Sequence, residues 1–243
     1  MPATGERSLQ ALLFDLDGTL VDSRVDLATA INRMRAERDL KPLPREKILP
    51  HIGWGARNLV ARCLAPEGSP VPSPEPDPEA PTDEEAGAAL RVFRRHYDDC
   101  LLDTTQPYPG IPELLEEGRR RGHPMAVVTN KPERFSRKIL AGLGMADPFR
   151  WVIGGDTLER RKPDPLPLQE AGRRMGRSAE EVVLIGDGLA DFEAARAAGC
   201  SIIMVAWGLT PPATLHAKAP GQTVDSVKEL HQRIWPADAG AAD

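Results

Sequence analysis

Four short runs of apolar and β-branched residues, each ending in side chains suited to chemistry, constrain this chain more than any other feature. Ala11-Leu12-Leu13-Phe14 leads into Asp15-Leu16-Asp17-Gly18-Thr19, and the run at 124–128 leads into Thr129-Asn130-Lys131. The run at 150–155 leads toward Lys162-Pro163, and Val182-Val183-Leu184-Ile185 leads into Gly186-Asp187-Gly188-Leu189-Ala190-Asp191. A fifth apolar run, 201–207, carries no comparable cluster. Helical patterns fill the intervals at 111–121, 132–142, 165–175 and 189–198. Short apolar runs of this kind read as buried strands. Strand alternating with helix predicts an α/β fold, a Rossmann-like parallel sheet with helices on both faces. Such sheets bind ligands beyond the carboxyl ends of their strands, which is where these clusters fall.

Asp15 and Asp17 are one residue apart and on a continuing strand would face opposite sides. Gly18 allows the chain to turn there, so both carboxylates can converge on one mouth. A pair so placed can hold Mg2+, and one member can act as a nucleophile. Acidic turn residues that merely close a strand end are the plainer alternative.

Spacing points to an insertion. The first strand ends near residue 17 and the next convincing one starts near 124. A parallel crossover needs only a dozen or more residues, which leaves about eighty to be accounted for. Their content is helical: Val25, Ala28, Ile31 and Met34-Arg35 recur at spacings of three and four within 22–38, with Asp22 or Ser23 as N-cap. Further helical patterns cover 54–64 and 84–102. The expected organisation is a core of 1–21 and 106–243 with an inserted α-helical cap domain of 22–105, hung over the strand ends as a lid. Inside it, 66–81 holds seven prolines in sixteen residues and reads as an extended, exposed spacer. Its alternative is a ligand for a proline-binding domain. Residues 103–109 read as the return hinge, and the small, acidic tail 237–243 is expected to fray.

Composition excludes several classes. A formal net charge of −5 without a long basic run argues against nucleic acid as a partner. No apolar stretch approaches a membrane span, and residues 1–10 carry no apolar signal segment. Cys63, Cys100 and Cys200 are widely spaced and read as small buried hydrophobes rather than a disulfide framework. The expectation is a cytoplasmic protein, a monomer or homodimer, acting on a small molecule.

In chain order, DLDGT at 15–19, Thr129 with Asn130, Lys162 before Pro163, and GDGLAD at 186–191 resemble the four motifs of the haloacid dehalogenase (HAD)-like hydrolase superfamily. The resemblance runs over roughly residues 10–208. DGTLVDS at 17–23, Pro107-Tyr108-Pro109-Gly110, VVTNKPERF at 127–135 and VIGGD at 152–156 bring it nearest to the bacterial phosphoglycolate phosphatases. It implies a HAD-like core and a Mg2+-dependent phosphatase, with 2-phosphoglycolate hydrolysed to glycolate and phosphate through an aspartyl-phosphate. Asp15 is then the nucleophile, and Asp17 the general acid and later base, its backbone carbonyl also on the metal. Thr129, Asn130 and Lys162 hold the phosphoryl group. Asp187 is a direct metal ligand alongside Asp15, and Asp191 holds the metal through water. The alternatives are a phosphatase or phosphomutase for a sugar phosphate or pyrophosphate, and a non-catalytic module that binds phosphate or Mg2+.

Elementary electrostatics shows why the cations are needed. At about 4 Å and an effective dielectric of about 20, a carboxylate and a phosphate dianion repel by about 8 kcal/mol. Lys162 and Mg2+ together bring the charge that cancels this. For the substrate carboxylate, Gly53-Trp54-Gly55-Ala56-Arg57-Asn58 is the expected cap segment: its glycines permit close backbone approach, and Arg57 is the candidate partner. Trp54 would either narrow the site or pack the cap onto the core.

Overall fold

A computed structural model describes residues 10–64 and 82–236. The proline-rich stretch at 66–81 and the tail at 237–243 lie outside the described residues. Six parallel strands form the central sheet: β1 (Ala11–Phe14), β4 (Met125–Val128), β5 (Trp151–Ile153), β6 (Val182–Gly186), β7 (Ser201–Val205) and β8 (Thr223–Val224), in the order β5-β4-β1-β6-β7-β8. The order reverses at β1, which pairs with β4 on one side and β6 on the other, so the crevice of the sheet opens at its carboxyl end.

Alternation along β1 splits the interior into two layers. Leu12 and Phe14 face the layer built with α5 (Ile111–Arg120), α6 (Glu133–Gly142) and α10 (Val227–Ile234). Ala11 and Leu13 face the layer built with α7 (Leu166–Met175), α8 (Leu189–Ala198) and α9 (Pro212–Lys218). The expected strands and helices are all present, shorter by a residue or two at several ends. Beyond expectation, β8, α9 and α10 complete the far edge.

The helical insertion leaves and returns through a two-stranded antiparallel pair, β2 (Val21–Asp22) and β3 (Gln106–Pro107). Between them lie α1 (Arg24–Ala36), α2 (Arg45–Ile48), α3 (Ala56–Leu64) and α4 (Asp83–Cys100). Leu27, Ile31, Met34, Leu59, Val60, Phe93 and Tyr97 bury one face of these helices, continuous with the first layer under the sheet. A latch closes the base of the insertion. The buried Asp26 carboxylate accepts from the Thr104 amide (3.1 Å) and hydroxyl (2.6 Å) and from the Thr105 amide (2.8 Å) and hydroxyl (2.7 Å).

The start of α1 departs from expectation. Asp22 is held in the β2–β3 pair and binds the Arg24 guanidinium. Ser23 stands at the N-cap position, yet its hydroxyl makes no cap and donates to Asp17 Oδ1 at 2.5 Å. The residue is committed to the site rather than to the helix.

Candidate active site

The turn after β1 is set by its sequence. The Asp15 amide donates to Ile185 O at 2.9 Å, extending the ladder by one residue, and Gly18 then adopts φ +87°. A side chain at Gly18 would overlap the Asp187 carboxylate, so glycine is needed for both conformation and space. The turn sends the two neighbouring acids to different partners.

Asp15 faces the ends of β5 and β6. Its carboxylate lies with those of Asp187 and Asp191 in a cluster whose oxygens are within 4.8 Å of one another, all three buried. Lys162 supplies the counter-charge: its Nζ is 3.0 Å from Asp15 Oδ1 as an ion pair and donates to Asp191 Oδ1 at 2.5 Å and to Val128 O at 2.6 Å. Asp187 accepts from the Thr19 hydroxyl at 3.0 Å and the Leu209 amide at 2.7 Å, and Asp191 accepts from the Gly188 amide at 3.0 Å. Burial, then the Asp15 and Asp191 charges, push Asp187 well above the usual carboxylate range. Burial raises Asp191 to about 6, with Asp15 adding and Lys162 opposing. Burial works against the Lys162 charge, but Asp15 and Asp191 outweigh it and hold the ammonium above its ordinary value.

This is a donor set for a hard divalent cation. Three buried carboxylates share the single Lys162 ammonium, and that excess of crowded negative charge is what such an ion relieves. The Asp17 side chain stands outside the cluster, so of the expected metal residues only Asp15, Asp187 and Asp191 bring carboxylates together.

Asp17 faces the insertion. Lys131 Nζ donates to both its oxygens, at 2.9 and 2.8 Å, and Ser23 donates to Oδ1. Lys131 went unassigned in the sequence because a lysine just before a helix reads as solvated, yet it is only 6% exposed. Its position three residues past the end of β4, two after Thr129, is the signal that marks it. Thr129 lines the same cavity, and its hydroxyl accepts from the Lys131 amide at 3.3 Å. The Asn130 amide donates to Lys162 O at 2.8 Å and to Gly53 O at 2.9 Å, so it ties the β4 loop to the insertion as well as lining the site.

Two cavities flank the acids. One, of about 40 Å³, lies under the insertion and is walled by Leu59, Phe93, Tyr97 and Phe135 as well as Asp15, Asp17 and Lys131. The other, of about 240 Å³, opens past Asp187 and Asp191 toward Leu209 and Pro211. Trp54 lines this second cavity, 36% exposed. Arg57 corrects the expectation for the substrate carboxylate. Its side chain is 47% exposed and pairs with Asp83 at 2.5 Å, and it lines neither cavity. Ala56 and Leu59 form the inward face of α3, and Arg57 follows Ala56 by about 100° of helical rotation, which turns it outward. Among the described residues, no helix is long and apolar enough to cross a membrane.

The arrangement has known counterparts. The haloacid dehalogenase-like hydrolase family model matches residues 12–205. A phosphoglycolate phosphatase of Chromobacterium violaceum is 38% identical over 225 residues, 93% of this chain and 96% of that protein. One of Rhodospirillum rubrum is 40% identical over 212 residues, 86% of each. A crystal structure from Lactobacillus delbrueckii subsp. bulgaricus superposes with a TM-score of 0.84 at 31% identity, covering 93% of this chain and 98% of its own. A family match across the sheet and its strand-end residues, with relatives similar over nearly their whole length, makes this chain a member of the haloacid dehalogenase-like hydrolases.

Proposed function

We propose that this chain, a phosphoric monoester hydrolase, takes 2-phosphoglycolate as its substrate and releases glycolate and phosphate through an aspartyl-phosphate on Asp15. The observation that carries the reading is the buried grouping of Asp15, Asp187 and Asp191 with Lys162 at the end of β1. It combines a candidate nucleophile with the charges needed to receive a phosphoryl group. The substrate is supported by the relatives named as phosphoglycolate phosphatases.

The chain's own groups divide the work. Asp15 attacks phosphorus as the ester P–O bond breaks, and Asp17, held by Lys131 and Ser23, gives the departing alkoxide its proton. Asp17 then takes a proton from the water that cleaves the acyl-phosphate. The Lys162 ammonium offsets charge on the phosphoryl oxygens, and the Thr129 hydroxyl orients them. Asp15, Asp187 and Asp191 would hold Mg2+, with the Asp17 carbonyl as a further ligand. When bound, the ion supplies Lewis-acid stabilisation of the phosphoryl oxygens. The insertion of 22–105 acts as the cap that excludes water, and the inserted helices are joined to the core by the Asn130 bridge and by Lys138, which pairs with Asp98 at 2.7 Å.

The test is phosphate release from 2-phosphoglycolate and a panel of small esters, with Mg2+ and with EDTA, and with Asp15→Asn as control. Metal-dependent release biased to 2-phosphoglycolate and lost in the control is the expected result. Bias to another ester would overturn the substrate, and release unaffected by Asp15→Asn would overturn the mechanism.

A further inference from the structure

With Arg57 turned outward, a carboxylate beside the phosphate needs another partner. We propose that the insertion side of the smaller cavity is a second anion subsite, in which the Lys131 ammonium and the Tyr97 hydroxyl take the non-reacting carboxylate of a short phosphate monoester. The inference rests on the phosphatase reading above.

Lys131 is the one cation among the described residues lining that cavity. An ammonium has three donors. Asp17 engages the ammonium of Lys131 through both its oxygens, and the ammonium also lies over the face of the Tyr97 ring, with no oxygen acceptor besides Asp17 among the described residues. The Nζ sits 4.6 Å from the centre of the Tyr97 ring, so cation and aromatic residue share one wall. Tyr97 is 1% exposed, lines the same cavity, and its hydroxyl has no hydrogen-bond partner. Buried hydroxyls are nearly always paired, and one left open on the wall it shares with an ammonium marks the place of a missing acceptor. Burial, with the charge of Asp17 adding, pushes the Tyr97 phenol well above its ordinary value, so it remains a donor.

The rest of the wall sets the length of the substrate. Leu27, Leu59, Phe93 and Phe135 are apolar, so an anion placed among them without a partner is strongly disfavoured. Lys131 Nζ lies 2.8 Å from Asp17, the group that serves the leaving oxygen. The second anion must therefore sit within a carbon or two of that oxygen, as in a phosphorylated short 2-hydroxy acid. A longer arm would drive its charge into the aromatic wall.

The experiment compares 2-phosphoglycolate with 2-hydroxyethyl phosphate, which replaces the carboxylate by an alcohol, in the full chain with Mg2+. Lys131→Met is expected to lower kcat on both esters through the loss of the Asp17 partner and, in addition, to raise KM for 2-phosphoglycolate by at least about 30-fold, with a much smaller change in KM for the alcohol. Tyr97→Phe, which removes one oxygen and keeps the ring, is expected to raise the same KM by about tenfold with little change in kcat. Equal losses of kcat on both esters in Lys131→Met, with KM unchanged, would overturn the proposal and leave Lys131 as a support for Asp17. If Lys131→Met does not fold, Tyr97→Phe decides: a rise in KM confined to 2-phosphoglycolate supports the subsite, and no rise overturns it. If the unaltered chain cleaves neither ester, the phosphatase reading falls, and calorimetric titration with glycolate tests the subsite separately. Glycolate binding that Tyr97→Phe weakens would still support it, and no binding would overturn it.

Discussion

The two acids of the first strand end, separated by one residue, occupy unlike surroundings. Asp15 looks into a crowd of carboxylates offset by Lys162, every member drawn from the sheet's carboxyl edge. Asp17 looks into a chamber half built by the insertion, where Lys131, Ser23 and an aromatic wall meet. One side is rigid and rich in charge, as bond-making at phosphorus requires. The other is closed by helices of the insertion, and it is suited to selecting what is attached to the phosphate. On the proposed reading, reaction and selection are divided between two acids one residue apart.

Substitutions on the two sides should separate these roles. Asp15→Asn removes the proposed nucleophile and should lower kcat for every ester by at least about four orders of magnitude in steady-state assays. Lys162→Ala should cost about two to three orders in kcat across the panel, with the far-ultraviolet circular dichroism spectrum retained. Near-normal turnover would remove it from the reacting side. Asp26→Ala tests the base of the insertion. Stripping the acceptor from the Thr104 and Thr105 donors should lower the unfolding free energy by about 3 kcal/mol, read from urea midpoints. Asn130→Ala breaks the link to Gly53 and should raise KM by about tenfold with a smaller change in kcat. The smallest effect belongs to Arg57→Ala, whose surface pair with Asp83 predicts a change of less than about twofold in KM for any ester. A larger, carboxylate-specific rise would return Arg57 to the chamber.

The clustering on the Asp15 side was legible in the sequence because its residues lie after apolar runs, and parallel pairing brings strand ends together whatever lies between. That rule placed Asp15, Thr129, Asp187 and Asp191 near one mouth, while Lys162, nine residues past β5, and the roles proposed for all of them came from the motif resemblance. The selecting side was less legible, since it depends on how helices of the insertion are rotated. Arg57 looked suitable by residue type, and its neighbour Ala56 took the inward position. Tyr97 lies on α4, whose apolar stripe marks it as core without revealing that its oxygen meets a cavity. The far edge was missed for another reason. β8 is two residues long, and its register on β7 rather than any periodicity makes Thr223–Val224 a strand.

The position of β1 at the middle of the sheet has a consequence for synthesis. A ribosome makes this strand early, yet both of its neighbours come much later in the chain. The Thr19 hydroxyl finds its carboxylate partner 168 residues downstream. At about 5 to 20 residues per second, that separation takes on the order of ten to thirty seconds to span. Until then Ala11-Leu12-Leu13-Phe14 is an apolar segment without its partners, and helices of local contact can form ahead of the sheet. Proteolysis of stalled chains would read this directly, as cleavage near β1 that persists until residues beyond β6 have emerged from the exit tunnel.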